Sequence, residues 1–276
     1  MTNFNNRISI LFFVLATTFF SVQHTSLLAQ QTLRPFQYGE KLHYKVSYNW
    51  GLVWVDAGKV VFEVESLTYG DRPAYRFKSF GRSLTSYDWF YKVRDYFESV
   101  ADAEGFYPYW FTRKTREGSY EVNNKYNFDY ENNRIISQTQ NSNRPFSEDT
   151  LSFEGLVLDV QTAVYYFRTL NFSIMKEGEK IPFRMIIDGE VFNLYGHYLG
   201  KEIIENYDGQ VYRCHKFSAS LVEGTIFSGG EDLFVWLTDD KNQIPLLVEA
   251  KILVGSVKAY FTNGENILYP KESLVE

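Results

Sequence analysis

The sequence contains one cysteine, Cys214, so no disulfide can form within the chain. In an oxidising compartment the fold would therefore depend on its hydrophobic core alone. An excess of positive charge is missing as well, because 28 Lys and Arg residues stand against 34 Asp and Glu, a formal net charge of −6. Nucleic-acid binding draws on clustered Lys and Arg, so nucleic acid is not an expected partner.

Long apolar runs are scarce. The run Ile8–Phe20 follows Arg7 and is shorter than the roughly 18 residues that a membrane-spanning helix needs. A polar segment leads from it to Leu27-Leu28-Ala29, an order that is typical of a secretory signal peptide. We therefore predict a signal peptide over residues 1–29, cleaved near Ala29, and a mature part without a transmembrane span.

The residue after the predicted cleavage position is Gln30, whereas a lipoprotein would carry its lipid on a cysteine there. We therefore expect no lipid anchor. The predicted location is the periplasm, either free or peripheral to the outer membrane. The sequence leaves open whether the protein is retained or released, and what its oligomeric state is.

Motifs for catalysis are also missing, since no glycine-rich phosphate loop and no nucleophilic serine motif occurs. Cys214 and His215 are adjacent in a predicted strand, so their side chains point to opposite faces and cannot easily form a dyad. Asp239-Asp240 lacks the further ligands of a calcium loop, and a solvated turn is the simpler interpretation. We predict no catalytic residue, no metal site and no cofactor.

Alternation of apolar and polar residues dominates what is present. Between Lys41 and Trp50 every second residue is Leu, Tyr, Val or Trp, the period of a half-buried strand. Turn signals at Glu131-Asn132-Asn133, Asp188-Gly189 and Asp208-Gly209 predict hairpins between further strands. The predicted fold class is mainly β, a single domain over residues 30–276 with a curved antiparallel sheet or incomplete barrel.

One segment has helical spacing instead. Apolar residues between Leu156 and Leu170 form a stripe, with Ser152 as a plausible N-cap and Arg168 in the last turn. In a chain of antiparallel strands this stripe is expected to pack on the concave side of the sheet. Residues 84–90 are a candidate for a second, shorter helix.

Several segments together carry a family resemblance. They are GEKLHYKVSYNWG at 39–51, Gly58, YKVRDYFES at 91–99, LDVQTAVYYFR at 158–168 and the run from Glu223 to Ala259. In this order and spacing the chain resembles the bacterial domain-of-unknown-function family 3108. The resemblance implies an exported, β-rich protein of Gram-negative bacteria without established activity, so it assigns no site residue. By analogy of fold alone, such a protein resembles periplasmic carriers of lipids or lipoproteins.

Aromatic residues make up 18% of the chain and are the best lead to a ligand. They are crowded at Trp89-Phe90-Tyr91 and between Phe106 and Phe111, so some are expected at the surface, although a large aromatic core is the simpler alternative. The candidate ligand-binding residues are Trp54, Trp89, Tyr109, Trp110 and Phe167.

Three functions remain open at this point. The first is noncatalytic binding of a hydrophobic ligand, such as a lipid or lipoprotein, or of another envelope protein. The second is action on polysaccharide or binding of carbohydrate, for which aromatic platforms are suited but a carboxylate pair is not evident. The third is a subunit for assembly or scaffolding at the outer membrane.

Overall fold

The computed structural model describes residues 34–50, 53–221, 230–251 and 256–275, so the predicted signal peptide at 1–29 lies outside the described residues. The described part contains fifteen strands, one α-helix and one short 3-10 helix. The strands are β1 Lys41–Trp50, β2 Val53–Tyr69, β3 Arg72–Ser83, β4 Val93–Asp102, β5 Pro108–Glu117, β6 Tyr120–Asp129, β7 Arg134–Asn141, β8 Arg144–Ser152, β9 Lys180–Ile187, β10 Glu190–Glu205, β11 Val211–Leu221, β12 Gly230–Thr238, β13 Pro245–Lys251, β14 Ser256–Glu265 and β15 Leu274–Val275. The helix α1 is Val160–Arg168, and the 3-10 helix is Phe172–Ile174.

All fifteen strands belong to one antiparallel sheet, as the alternation predicts. The order is β8-β7-β6-β5-β4-β3-β2-β1-β14-β13-β12-β11-β10-β9, with β15 added beside β11. Strands β8 and β9 are the two edges, and no ladder joins them among the described residues, so the sheet does not close into a barrel. Each edge strand carries a proline, Pro145 and Pro182, which suits edges because proline donates no ladder hydrogen bond.

The predicted hairpin turns are confirmed. Asn133 joins β6 to β7 with a φ of 51°, and Asp188 and Gly189 join β9 to β10 with φ values of 46° and 89°. Asn, Asp and Gly tolerate this left-handed backbone better than other residues. Gly209, at φ 83°, lies in the turn between β10 and β11.

The helix predicted over 156–170 forms, but it is shorter and begins later. Asp159, rather than Ser152, is its N-cap and accepts hydrogen bonds from the backbone N–H groups of Gln161 and Thr162. Ser152 instead ends β8. The residues before Asp159 are held extended, because the N–H of Leu158 donates to a carbonyl of β9.

The candidate helix over 84–90 is not a helix. These residues form hydrogen-bonded turns, in which the N–H of Tyr87 donates to Leu84 and that of Phe90 donates to Tyr87. Trp89 and Phe90 are exposed rather than packed, so the segment lacks the buried apolar stripe that stabilises helices in proteins.

The sheet wraps around α1. Tyr165 stacks on Phe77 of β3 at 4.0 Å, while Phe167 stacks on Phe217 of β11 at 5.3 Å, so the helix touches strands from both halves of the sheet. Near the edges, Ile186 of β9 packs in one cluster with Phe111 of β5. The helix therefore lies on the concave side, as the sequence predicts.

Polar contacts fix the helix at both ends. At the start, Asp159 accepts a hydrogen bond from the Ser99 hydroxyl at 2.7 Å. At the end, Arg168 is fully buried and donates to both carboxylate oxygens of Glu40, at 2.6 and 3.0 Å, and to the carbonyl of Asn242. Buried charges need such pairing because desolvation opposes them.

Candidate ligand-binding grooves

A groove of about 380 Å³ lies beside the helix, where the sheet edge at β9 meets the segment that leads into α1. This volume falls in the range of small-molecule sites, roughly 300–1,000 Å³. The wall combines polar and apolar surface in similar amounts and consists of Leu156, Leu158, Tyr166, Pro182, Phe183, Arg184, Asn193 and Leu194.

Arg184 is the only charged residue in this wall. Its backbone is fixed, because its carbonyl accepts from the N–H of Leu158 and the N–H of Ile186 donates to the carbonyl of Leu158, both at 2.9 Å. Its side chain is half-buried, and within the described residues its guanidinium has no hydrogen-bond or ion-pair partner. The groove therefore offers apolar surface together with an unpaired cation.

Gly155 leaves the space that this guanidinium occupies. A Cβ added to Gly155 would lie 2.8 Å from Nη2 of Arg184, and the glycine has a φ of +63°. A larger residue would be strained there and would displace the arginine. Gly155 thus leaves room for the guanidinium of Arg184 at the groove.

A second groove, of about 480 Å³, lies on strands β4 to β8. Its wall combines Trp110 and Phe146 with amides and amines and consists of Glu98, Trp110, Thr112, Arg113, Lys114, Asn123, Asn124, Lys125, Asn127, Gln138, Gln140 and Phe146. Glu98 is the one carboxylate of this wall, and it already accepts a hydrogen bond from the Tyr96 hydroxyl and pairs with Arg76 at 3.4 Å.

The candidate aromatic residues are not brought together. Phe167 is buried in the core, where its ring meets Phe183 of the first groove at 5.0 Å. Trp110 lines the second groove. Tyr109 stacks on Tyr69 at 4.4 Å and lines neither groove.

The two remaining candidates belong to the surface. Trp54 is 40% exposed and lies under the Lys258 amine at 4.6 Å. Trp89 is 84% exposed and touches Phe90. Arg184 is not predicted as a site residue by the sequence, because a single arginine in an alternating strand indicates an outward side chain. The signal that could have marked it is its position between apolar residues in KIPFRMII.

Cys214 and His215 lie on opposite sides of β11, as expected. Cys214 is fully buried, and desolvation raises the pKa of its thiol to about 12, which leaves it protonated. Nε2 of His215 lies 2.8 Å from Asp239, and Nδ1 lies 2.9 Å from the Tyr198 hydroxyl. Desolvation lowers the pKa of His215.

Asp239 and Asp240 do not share one site. Asp239 pairs with His215 and with Lys201 at 2.8 Å, whereas Asp240 accepts from the hydroxyls of Thr238 and Ser273. Across the part of the chain that the structure describes, no three His, Cys, Asp or Glu residues gather as metal ligands. In the same part, no helix has the length and apolar character for crossing a membrane.

Comparisons with known proteins give a family and a similar fold, and neither names a ligand. The sequence model of a family described as "Protein of unknown function (DUF3108)" matches residues 43–262. The structure is similar to that of a beta-barrel-like protein of domain of unknown function DUF1849 from Brucella abortus, with a TM-score of 0.54 and 10% identity, covering 84% of this chain and 98% of that chain. At this identity the similarity concerns the fold alone. No curated protein matches the sequence.

Proposed function

The chain belongs to the DUF3108 family of proteins of unknown function, and from this premise we propose that it is a noncatalytic envelope protein that binds an amphipathic anion in the groove beside α1. The acyl chain lies along Leu156, Phe183 and Leu194, and the carboxylate or phosphate binds Arg184. The predicted signal peptide supports this proposal, since it would bring the protein to a compartment bounded by lipid.

The unpaired guanidinium of Arg184 carries the proposal. A half-buried cation loses part of its hydration, and the loss is offset when an anion accepts its hydrogen bonds. Leu156, Phe183 and Leu194 in the same wall would bury the methylenes of a ligand, at about 0.8 kcal/mol each. An anionic head with an apolar tail satisfies both parts of the wall.

The test measures binding of 11-(dansylamino)undecanoate to the chain from Gln30 onward, which contains the whole described fold. We expect a rise in dansyl fluorescence that unlabelled dodecanoate reverses and dodecylamine does not. Arg184→Gln is expected to weaken binding by about tenfold or more, because hydrogen bonds to charged groups contribute about 1.5–3 kcal/mol. Leu194→Trp, which fills the groove, is expected to abolish it.

The matched control is Arg144→Gln, which removes an exposed arginine of β8 that lines neither groove. It is expected to leave dansyl-fatty-acid binding unchanged. Equal affinity of the Arg184→Gln and unsubstituted proteins, or equal competition by dodecylamine, would contradict the proposal.

The second groove supports a different candidate, the binding of carbohydrate. Trp110 lies directly across the ladder from Asn127, and Lys125 lies across from Gln138, so an aromatic plane adjoins donors and acceptors suited to hydroxyl groups. With Glu98 already engaged, this wall supports binding rather than cleavage. Titration with soluble peptidoglycan fragments tests it, and Trp110→Ala is expected to abolish any binding that is seen.

A further inference from the structure

Five basic residues stand side by side across five neighbouring strands. Directly opposed pairs in the ladders are Lys45 with Lys59, Lys59 with Arg82, Arg82 with Arg94, and Arg94 with Arg116. Strands lie about 4.8 Å apart, so this basic row spans about 20 Å.

The basic row lies on the face turned away from α1. Side chains alternate along a strand, and Ser79 of β3 and Ser99 of β4 point to the helix, where they bond to Gln161 and Asp159. Arg82 and Arg94 are an odd number of residues from these serines and therefore point outward. The row is thus on the outer face of the sheet.

Two members of the row have no counter-charge. Lys45 pairs with Asp56, Arg94 with Asp88 and Arg116 with Glu121, at 3.3, 2.5 and 3.6 Å. Lys59 and Arg82 are exposed, and in the described residues neither has an ion-pair or hydrogen-bond partner. Like charges directly opposite one another destabilise a sheet, so the row is held at a cost to stability.

An exposed aromatic loop adjoins this row, between β3 and β4. Trp89 is 84% exposed, Phe90 65% and Tyr91 48%. Backbone N–H groups of Phe90 and Tyr91 both donate to the carbonyl of Tyr87 at 2.9 Å, so the rings are presented by a hydrogen-bonded turn.

The loop is also tied to the basic row itself. Both carboxylate oxygens of Asp88 accept hydrogen bonds from Arg94, at 3.0 and 2.5 Å, and Ser83 donates a further bond. These bonds hold the pKa of Asp88 at about 2, below its ordinary value. Val53 and Trp54 of β2, at 61% and 40% exposure, add apolar surface at the same end of the sheet.

We propose that this end of the sheet docks on an anionic lipid surface, with Trp89 and Phe90 inserted among the headgroups and Lys59 and Arg82 paired with lipid phosphates. Aromatic rings favour the membrane interface, and nearby Lys and Arg are attracted to anionic headgroups. A dissolved polyanion would match the cations but would leave the exposed rings without a partner. An anionic lipid surface would contact both the cations and the exposed rings.

The test is cosedimentation of the chain from Gln30 onward with phosphatidylglycerol vesicles and with phosphatidylcholine vesicles. We expect binding to the anionic vesicles alone, weakened by salt because screening shortens the range of the attraction. Trp89→Ala/Phe90→Ala is expected to lower the affinity at least about tenfold through lost apolar burial. Lys59→Gln/Arg82→Gln is expected to lower it about 25-fold, about fivefold for each cation.

Matched controls carry the same changes elsewhere. Tyr107→Ala removes a ring that is 43% exposed between β4 and β5, and Lys176→Gln/Lys241→Gln removes two exposed cations outside the row. Both controls are expected to bind as the unsubstituted protein does. The proposal is overturned if a control weakens binding as much as its counterpart, if anionic vesicles are not bound, or if dextran sulfate binds equally well and Trp89→Ala/Phe90→Ala has no effect.

These outcomes are independent of the groove beside α1. The proposed fatty-acid site uses Arg184, whereas vesicle docking uses Lys59, Arg82, Trp89 and Phe90. Loss of vesicle binding with retained binding of the dansyl fatty acid would therefore separate the two proposals.

Discussion

Charges inside the curved sheet and charges on its outer face obey different rules. Inside, Arg168 is fully buried and meets both oxygens of Glu40. Outside, Lys59 stands between Lys45 and Arg82 without an acid of its own. Desolvation makes an unpaired charge expensive in the interior, while water screens the outer row. The interior pair therefore serves one arrangement of the helix, and the outer cations remain available to a partner.

A neighbouring row on the same outer face shows that the basic row is not imposed by the sheet. There the ladders place Lys41 opposite Glu63, Glu63 opposite Lys78, and Lys78 opposite Glu98. The same strands thus accommodate alternating charge, which is the more stable pattern. The difference between the two rows points to selection for something other than stability.

The largest expected effect comes from breaking the interior pair. Glu40→Ala leaves Arg168 buried without its carboxylate, and such a change typically lowers the free energy of unfolding by about 3–5 kcal/mol. Urea unfolding followed by tryptophan fluorescence measures it. Glu63→Ala, which removes the acid from the partly exposed pair with Lys41, is the control and is expected to change stability by less than about 1 kcal/mol. Similar losses in the free energy of unfolding of the two variants would show that the buried and the exposed ion pair contribute equally to stability.

Asp95 differs from the buried pair of Arg168 and Glu40, because it is desolvated without a full set of hydrogen-bond partners. Desolvation, and secondly the charge of Glu117, raise its pKa to about 7, and its Oδ1 has no hydrogen-bond partner. An unfolded aspartate loses its proton near pH 4. The folded state therefore binds more protons between about pH 4 and 7, and stability falls as the pH rises through that window.

Asp95→Asn is expected to remove this dependence. At about pH 8 the variant should exceed the unsubstituted protein in free energy of unfolding by about 1–3 kcal/mol, because a buried charge without full hydrogen bonding is eliminated. At about pH 4 the two should differ little. Unfolding curves across this pH range decide the matter, and a constant difference at every pH would show that Asp95 titrates normally.

The smallest effect on stability tests the basic row. Lys59→Glu gives Lys45 and Arg82 an acid between them and should raise the free energy of unfolding by about 0.2–1 kcal/mol, while vesicle binding declines. Thermal unfolding and cosedimentation measure the two effects. Lys78→Glu is the reciprocal control, since it places three acids together in the alternating row and should destabilise. A Lys59→Glu variant that is less stable would indicate that the cations support the fold.

Much of the fold could be predicted from local pattern. Alternation marked the strands, and Asn133 and Asp188 marked turns, because backbone conformation there depends on a few neighbouring residues. Helical spacing also predicted α1, but it did not predict the residue at which the helix begins. The N–H of Leu158 donates to Arg184 of the distant strand β9, and its carbonyl accepts from Ile186, so the preceding residues stay extended. No local signal reveals such a partner.

The candidate sites were mostly beyond prediction. Aromatic content indicated Trp110, which lines a groove, and Trp89, which is exposed, but it gave no reason to separate them from the buried Phe167. Arg184 became a candidate only when the fold placed it in a groove with apolar residues and, among the described residues, no acid in the wall. Burial and pairing are properties of the assembled chain rather than of a residue type.

By itself, the sequence determined which residues can share a face of one strand, because side chains alternate with a period of two. Tertiary structure decided which strands are neighbours and in what register. Lys45, Lys59, Arg82, Arg94 and Arg116 are separated by 12 or more positions and form a row only through four ladders. Pairing between distant segments depends on turn geometry and on packing around a common core, which local periodicity does not encode.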